Sequence, residues 1–385
     1  MTRWVMLCIA AFSLISGSRV SIEAHSPALL EPDASSRACL ACHLEAGQIL
    51  SGPMAMRSGE RAFAHRAFGF EEGERFFAES CSGCHVTSCS DCHGDEAHPT
   101  SRPRNEACLQ CHRGYSAGWE FEGKAPREDH ARYQRGATSQ GEPFLRMLPD
   151  IHFERGLVCA DCHPMESLHT GGRAKGCLDC HPSPSSSVPE HAIPAHMSGM
   201  QCVACHAAWA PQEYGTFLVR PATTEQEEAF APLRKWGSWQ KSAHLKRQDP
   251  PPLGVDLSGR VAPIRPRFIL LMSDPARGIE NRLLAAEWRA FTPHTVRRGS
   301  VPCGGCHDNA RRFLLEADDE RIHLPDIDGI GLRSYWNREG QSVVNGAFIS
   351  PERHTQMNTK SPEYARQVVN QWKNILNHAA PHSGR

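Results

Sequence analysis

The chain of 385 residues is poor in aromatic side chains, at 7%. Beyond its first two dozen residues it has no apolar run near the ~18 residues a membrane-spanning helix needs. Neither sign of charge dominates: 42 Lys+Arg stand against 43 Asp+Glu, a net charge of −1. That balance excludes the basic stripe of a nucleic-acid binder, so no nucleic acid is expected among the partners. Cysteine outside one pattern is also missing. Of 17 cysteines, only Cys8 stands apart. The others form eight Cys-x-x-Cys-His units: Cys39/Cys42/His43, Cys81/Cys84/His85, Cys89/Cys92/His93, Cys108/Cys111/His112, Cys159/Cys162/His163, Cys177/Cys180/His181, Cys202/Cys205/His206 and Cys303/Cys306/His307. At this composition chance supplies well under about 0.1 such unit.

Four chemistries compete for paired cysteines. Zinc uses Cys-x-x-Cys, and Cys159/Cys162 with Cys177/Cys180 has a ribbon-like gap, but zinc does not require a histidine after every pair. A dithiol redox motif occurs once rather than eight times, and structural disulfides do not repeat one spacing. Covalent haem c explains every element of the unit. Two cysteines three residues apart on one turn match the two vinyl groups, and the adjacent histidine is aimed at the iron as proximal ligand. The expected cofactors are eight covalently attached haems, whose carboxylates would make the assembled protein clearly acidic. Cationic or complementary docking patches on redox partners follow.

Residues 1–24 read as a signal peptide. Arg3 opens it, Val5–Ile15 is its apolar stretch, and Ala24 closes a small-residue cleavage site. Cys8 leaves with it. The implied location is the periplasm or cell envelope, the compartment in which bacteria attach haem c. Residues 25–206 form a heptahaem region, with too few residues per motif for a conventional core, so macrocycles take that role. Cys81–His93 carries two motifs separated by Val86, Thr87 and Ser88 alone, which forces two haems together. Residues 207–302 are a haem-free insert with Trp209, Trp236, Trp239 and Trp288, whose simplest role is packing. Pro250–Pro252, Pro263 and Pro266 break it into loops and short extended pieces, with minor β structure around Phe268–Met272. Residues 303–385 hold the eighth motif, a short helix over Asn309–Glu316 and a closing helix. The last has Ser361 as N-cap, Pro362 at its first position and an apolar face of Tyr364, Val368, Trp372, Ile375 and Leu376. The expected fold is therefore mainly α and irregular, short helices and loops wrapped around a closely packed haem chain.

Fourteen histidines lie outside the motifs, more than eight irons need. The expected distal ligands are His65, His98, His130, His152, His169, His196, His244 and His294, with His191 and His323 in reserve; His378 and His382 read as surface residues. Bis-histidine ligation gives low-spin, low-potential centres suited to relay. Met165, Met197 and Met200 are assigned to core filling. An enzyme would need one open iron, and the isolated eighth haem, preceded by the insert, is the candidate.

Eight such units in an exported chain resemble octahaem c-type cytochromes. The compressed spacing and short tail after His307 set the chain apart from the hydroxylamine-oxidoreductase type. It is more similar to multihaem cytochromes of selenite/tellurite-reduction operons, through Ala125–Gly136, Glu142–His163, Ala195–Phe217, Asn281–Leu315 and Arg333–Phe348. That resemblance implies an electron-transfer subunit of anaerobic respiration. Its partners would be a quinol-oxidising membrane complex and a terminal reductase or outer-surface cytochrome, in a peripheral membrane complex or homo-oligomer. It assigns no catalytic residue. An octahaem reductase acting on an oxyanion or a nitrogen or sulfur compound, and a cytochrome filament subunit, are the alternatives.

Overall fold

The computed structural model describes residues 32–80, 86–94, 102–110, 112, 120–122, 135–139, 142–146, 149–169, 173–185, 187–231, 234–236, 239–248, 250–317, 341–359 and 362–378. The leader, the second motif (Cys81, Cys84, His85), Cys111, His98, His130 and His323 lie outside them. So do the side chains of His169 and His244.

Two antiparallel helices, Ser58–Phe68 and Phe70–Ser80, follow the first motif. Gly69 joins them at φ +81°, a conformation that glycine adopts without the Cβ penalty. Gly73 lets the helices close up, since a Cβ there would sit 2.8 Å from the Ala64 carbonyl oxygen. The buried faces carry Phe63, Ala64, Phe76 and Phe77.

From Cys89 to His206 the described chain is mostly single helical turns, interrupted by a small antiparallel sheet of β1 (Glu120–Glu122), β2 (Arg135–Ser139) and β3 (Glu142–Arg146) in the order β1-β3-β2. Among the residues between Phe77 and Val203 whose side chains are described, Pro149 apart, no aliphatic or aromatic side chain is buried. Leu157, Val158, Met165, Leu178, Val188 and Met197 instead lie open. This is the stretch in which sequence spacing leaves no room for a core.

The insert is more regular than its prolines suggest. It forms a seven-stranded sheet: β4 (Ala210–Val219), β5 (Arg234–Trp236), β6 (Trp239–Gln248), β7 (Leu253–Asp256), β8 (Val261–Asp274), β9 (Ile279–Ala290) and, from the tail, β10 (Gly346–Phe348). The order is β10-β7-β8-β4-β6-β5, with β9 also on β8. Its pairings are antiparallel except that of β4 with β8. The expectation of β structure near Phe268–Met272 thus covers only part of a much larger sheet. Strand β8 runs through both Pro263 and Pro266. Proline is tolerated in a strand where its missing N–H does not interrupt the ladder or where pairing is irregular, and the β8–β9 register shifts just beyond, between Arg267 and Leu270.

The sheet links the two ends of the motif series. Leu218, Trp239, Leu270 and Met272 pack on the helical hairpin. Arg220 reinforces that contact by pairing with Glu72 at 3.2 Å and lying 4.3 Å from the Trp239 ring centre. Leu253, Val255 and Val261 pack with Ala204 of the seventh motif and with Phe313 beyond the eighth. Trp288 joins Ile264, Ala290, Leu314 and Val343 in a further cluster. Trp209, Trp239 and Trp288 are all buried, consistent with packing roles. After His307 a single 3-10 turn, Ala310–Phe313, stands where the sequence suggests a longer helix. Leu314 ends it in the left-handed region at φ 55°. The closing helix spans Pro362–His378, with Val369, Trp372 and Leu376 exposed. No helix among the described residues is long and apolar enough to cross a membrane.

Candidate haem-binding centres

The seven motifs whose first cysteine and histidine are described share one backbone turn. The histidine N–H donates to the carbonyl of the first cysteine at 2.8–3.1 Å in His43, His93, His112, His163, His181, His206 and His307. The middle residues help to close the turn. Asp161 accepts from Val158 N–H at 2.8 Å, Asp179 from Gly176 N–H at 2.7 Å, and Asp91 from the N–H groups of Thr87 and Ser88 at 2.8 and 3.0 Å. A carboxylate at the start of a helical turn satisfies orphan donors and opposes the positive dipole end, worth about 1 kcal/mol. The motif therefore presents two thiols and one imidazole from a rigid frame. No disulfide joins the described motif cysteines.

Four motif histidines face a histidine from elsewhere in the chain. Ring centroids are 6.2 Å apart for His152 and His181, 6.3 Å for His163 and His294, 6.0 Å for His191 and His206, and 6.0 Å for His196 and His307. These distances discriminate between two relationships. An imidazole ring with bonds of about 1.33 Å places each nitrogen about 1.1 Å from its centre. A direct N–H···N hydrogen bond of about 2.9 Å would then separate centroids by about 5.1 Å. Two metal–nitrogen bonds of about 2.0 Å give about 6.2 Å instead. The observed values leave room for one metal ion between each pair of imidazoles, so these residues would fit a haem iron.

Three of these rings have an acceptor at Nδ1. His206 Nδ1 lies 2.8 Å from the Gly299 carbonyl oxygen, and His191 Nδ1 lies 3.2 Å from that of Ser185. His152 Nδ1 lies 2.8 Å from Asp150 Oδ1. Engaging Nδ1 fixes the tautomer and leaves Nε2 for the metal. Burial, followed by the facing histidine, lowers the pKa of both His294 and His196, favouring the neutral imidazole a metal requires. No family model, curated protein or solved structure matches this chain. The chemistry therefore rests on these residues themselves.

Of the expected distal ligands, His152, His196 and His294 face motif histidines, as does the reserve His191. His65 is placed differently: its Nε2 is 2.6 Å from Glu74 Oε1 on the partner helix, and Phe70 tilts against its ring at 4.8 Å. Proximity in sequence does not identify the partner. His152 precedes the fifth motif but faces the sixth; His196 precedes the seventh but faces the eighth; His294 precedes the eighth but faces the fifth. In each of these three pairs the facing histidine comes from a segment other than the one next to the motif in sequence. Met165 and Met197 are exposed beside His163 and His196 rather than filling core, whereas Met200 packs near Ala204. His307, the candidate open site, faces His196.

The motifs touch in series. Cys108 and Cys159 share a thiol hydrogen bond, as do Cys177 and Cys202. Cys162 lies within Coulombic reach of Cys180, and Cys205 of Cys306. First cysteines meet between motifs four and five and between six and seven; second cysteines approach between five and six and between seven and eight. Backbone contacts reinforce the sequence: Cys159 N–H donates to Asn105 at 2.9 Å, Lys175 N–H to the Cys162 carbonyl at 2.8 Å, and Val301 N–H to that of Cys205 at 3.0 Å. At the other end, Cys89 N–H donates to Ser36 Oγ beside the first motif at 3.0 Å.

Asp150, not singled out by the sequence, is buried and accepts from His152 N–H at 2.7 Å and Val296 N–H at 2.6 Å besides meeting the His152 ring. A carboxylate on the far nitrogen makes a ligating histidine more basic and stabilises the oxidised metal. In a chain carrying a haem held by His181 and His152, Asp150→Asn is expected to raise the midpoint potential of that haem while leaving the haem count unchanged. Potentiometric titration of the variant checks this, and an unchanged or lowered midpoint contradicts it.

Proposed function

We propose that the chain is an exported octahaem c-type cytochrome that relays electrons in anaerobic respiration. The observation that carries the reading is the set of four histidine pairs with centroids 6.0–6.3 Å apart, each combining a motif histidine with a distant one. The serial contact of motifs four to eight supports a wire, since neighbouring macrocycles exchange electrons when held close. The cofactor would supply the one-electron chemistry, while the protein fixes spacing, ligation and exposure. Cys39, Cys42, Cys81, Cys84, Cys89, Cys92, Cys108, Cys111, Cys159, Cys162, Cys177, Cys180, Cys202, Cys205, Cys303 and Cys306 would anchor the haems.

Relay is favoured over reduction at an open iron because His196 faces His307, the motif with the strongest case for a vacant site, and because Trp209, Trp239 and Trp288 of the insert are buried in packing. Under this reading the donor lies on the quinol side. The acceptor is a terminal reductase, including one acting on selenite or tellurite, or an extracellular acceptor. The four intrachain pairs also make a histidine donated by a neighbouring protomer unnecessary at haems five to eight.

Mass spectrometry of the mature chain is expected to show eight haem adducts and no leader. Electron paramagnetic resonance of the oxidised protein should be entirely low-spin, and the reduced protein should not bind carbon monoxide. A chain without haem adducts would sink the reading. A high-spin signal with carbon monoxide binding would move it to the reductase class, with the open iron among the haems of His43, His85, His93 and His112.

A further inference from the structure

A buried guanidinium is costly unless a carboxylate or several acceptors compensate it. Arg312, on the turn after the eighth motif, is 3% exposed. Its Nη2 donates to the Ala204 carbonyl oxygen at 2.8 Å, and the guanidinium also hydrogen-bonds the Cys306 thiol. Its Nε and Nη1 are buried without a hydrogen-bond partner among the described residues. The titratable groups facing it are Cys205 and Cys306, one from each of the last two motifs. Burial pulls its pKa down only to about 10, so it remains a cation at neutral pH.

We propose that Arg312 is a fixed buried cation that raises the reduction potentials of the seventh and eighth haems and makes their junction the electron-accepting end of the relay. The inference rests on the haem reading above. Reduction of a ferric centre adds one electron and no proton or bond. A nearby positive charge stabilises the product of that step, more strongly in a low-dielectric interior than in water. The sixth centre has the opposite device, the Asp150 carboxylate on the His152 ring. One electron lost by the sixth haem is gained by the next, and charges of opposite sign at the two places make that step downhill.

The test is potentiometric titration of the intact octahaem protein, followed by absorbance and by paramagnetic resonance. Arg312→Gln is expected to move the highest-potential component to lower potential, with eight haems retained. Arg312→Lys, which preserves the charge, is expected to restore the parental titration. A highest-potential component unmoved in Arg312→Gln, as when a haem carboxylate neutralises the guanidinium, overturns the proposal. If Arg312→Gln fails to mature, assignment of the haem methyl resonances in the parent decides. The seventh and eighth haems should reduce before the sixth, and the reverse order refutes the assignment. Absence of haem from the parent would refute the functional reading itself, whereas eight haems with unchanged potentials would refute this inference alone.

Discussion

Replacing His196 by glycine is expected to add one carbon-monoxide-binding haem per chain. His196 sits on a short helix, Pro194–Gly199, with proline at its first position and the Ser198 hydroxyl donating to the Pro194 carbonyl at 2.8 Å. Its backbone is held independently of the ring, so removing the imidazole should leave a gap opposite His307 rather than collapse the turn. Nearby histidines are already engaged: His191 faces His206, and His354 lies 3.1 Å from the Asn358 side-chain nitrogen. In a haem-loaded chain whose eighth iron is held by His307 and His196, the substitution would leave that iron with an open position. The expected readouts are a new high-spin signal and one equivalent of carbon monoxide bound after reduction, above any parental value. Its midpoint should also rise, because a strong nitrogen donor that favours ferric iron is gone. His354→Gly serves as control and should add no binding. If His196→Gly leaves both spin state and ligand binding unchanged, His196 is not the distal ligand.

The motif turns were legible in the sequence because the chemistry sits within five consecutive residues. One helical turn fixes how two thiols and an imidazole project, and the structure has the same His-to-Cys backbone bond wherever a motif is described. The distal ligands were less legible. Which histidine faces which motif is a tertiary property that nearness in sequence misrepresents. His191, held in reserve, faces His206, while His65 meets Glu74. The sheet was underestimated for a different reason. Pro263 and Pro266 read as breaks, yet β8 continues past them, and strands separated widely in sequence, such as β7 and β10, pair across the insert. Arg312 and Asp150 carry no local pattern; only burial and facing groups mark them.

The insert resolves into a scaffold with a definite mechanical consequence. One part of the sheet packs on the helices beside the early motifs, another on the seventh and eighth. Those contacts bury aliphatic and aromatic side chains without any need for porphyrin. The motif-rich stretch between them has the opposite character, and the two regions should respond differently to loss of the cofactor.

In a chain produced without haem attachment, residues 86–201 are expected to be unfolded while the sheet between Ala210 and Ala290 persists. Among those residues of the first region whose side chains are described, Pro149 apart, no aliphatic or aromatic side chain is buried. Leu157, Val158, Met165, Leu178 and Met197 stay between 37% and 51% exposed. Covering each would contribute on the order of 1 kcal/mol, part of the about 1.5–3 kcal/mol for full burial. Ordering each backbone residue costs about 1–2 kcal/mol, so single turns closed by one or two hydrogen bonds cannot hold that length of chain by themselves. The sheet buries Trp209, Trp239, Trp288, Leu218, Leu253, Ile264 and Leu271 at 3% exposure or less, and its cost is met within the polypeptide. Amide exchange should therefore show opening free energies near about 0 kcal/mol over 86–201 in the haem-free chain, against several kcal/mol in the sheet. Limited proteolysis should cut first within 86–201 and leave a fragment containing the insert. Protection of 86–201 equal to that in the haem-loaded protein would mean that the polypeptide supplies its own core, and the porphyrin-core account of this region would fail.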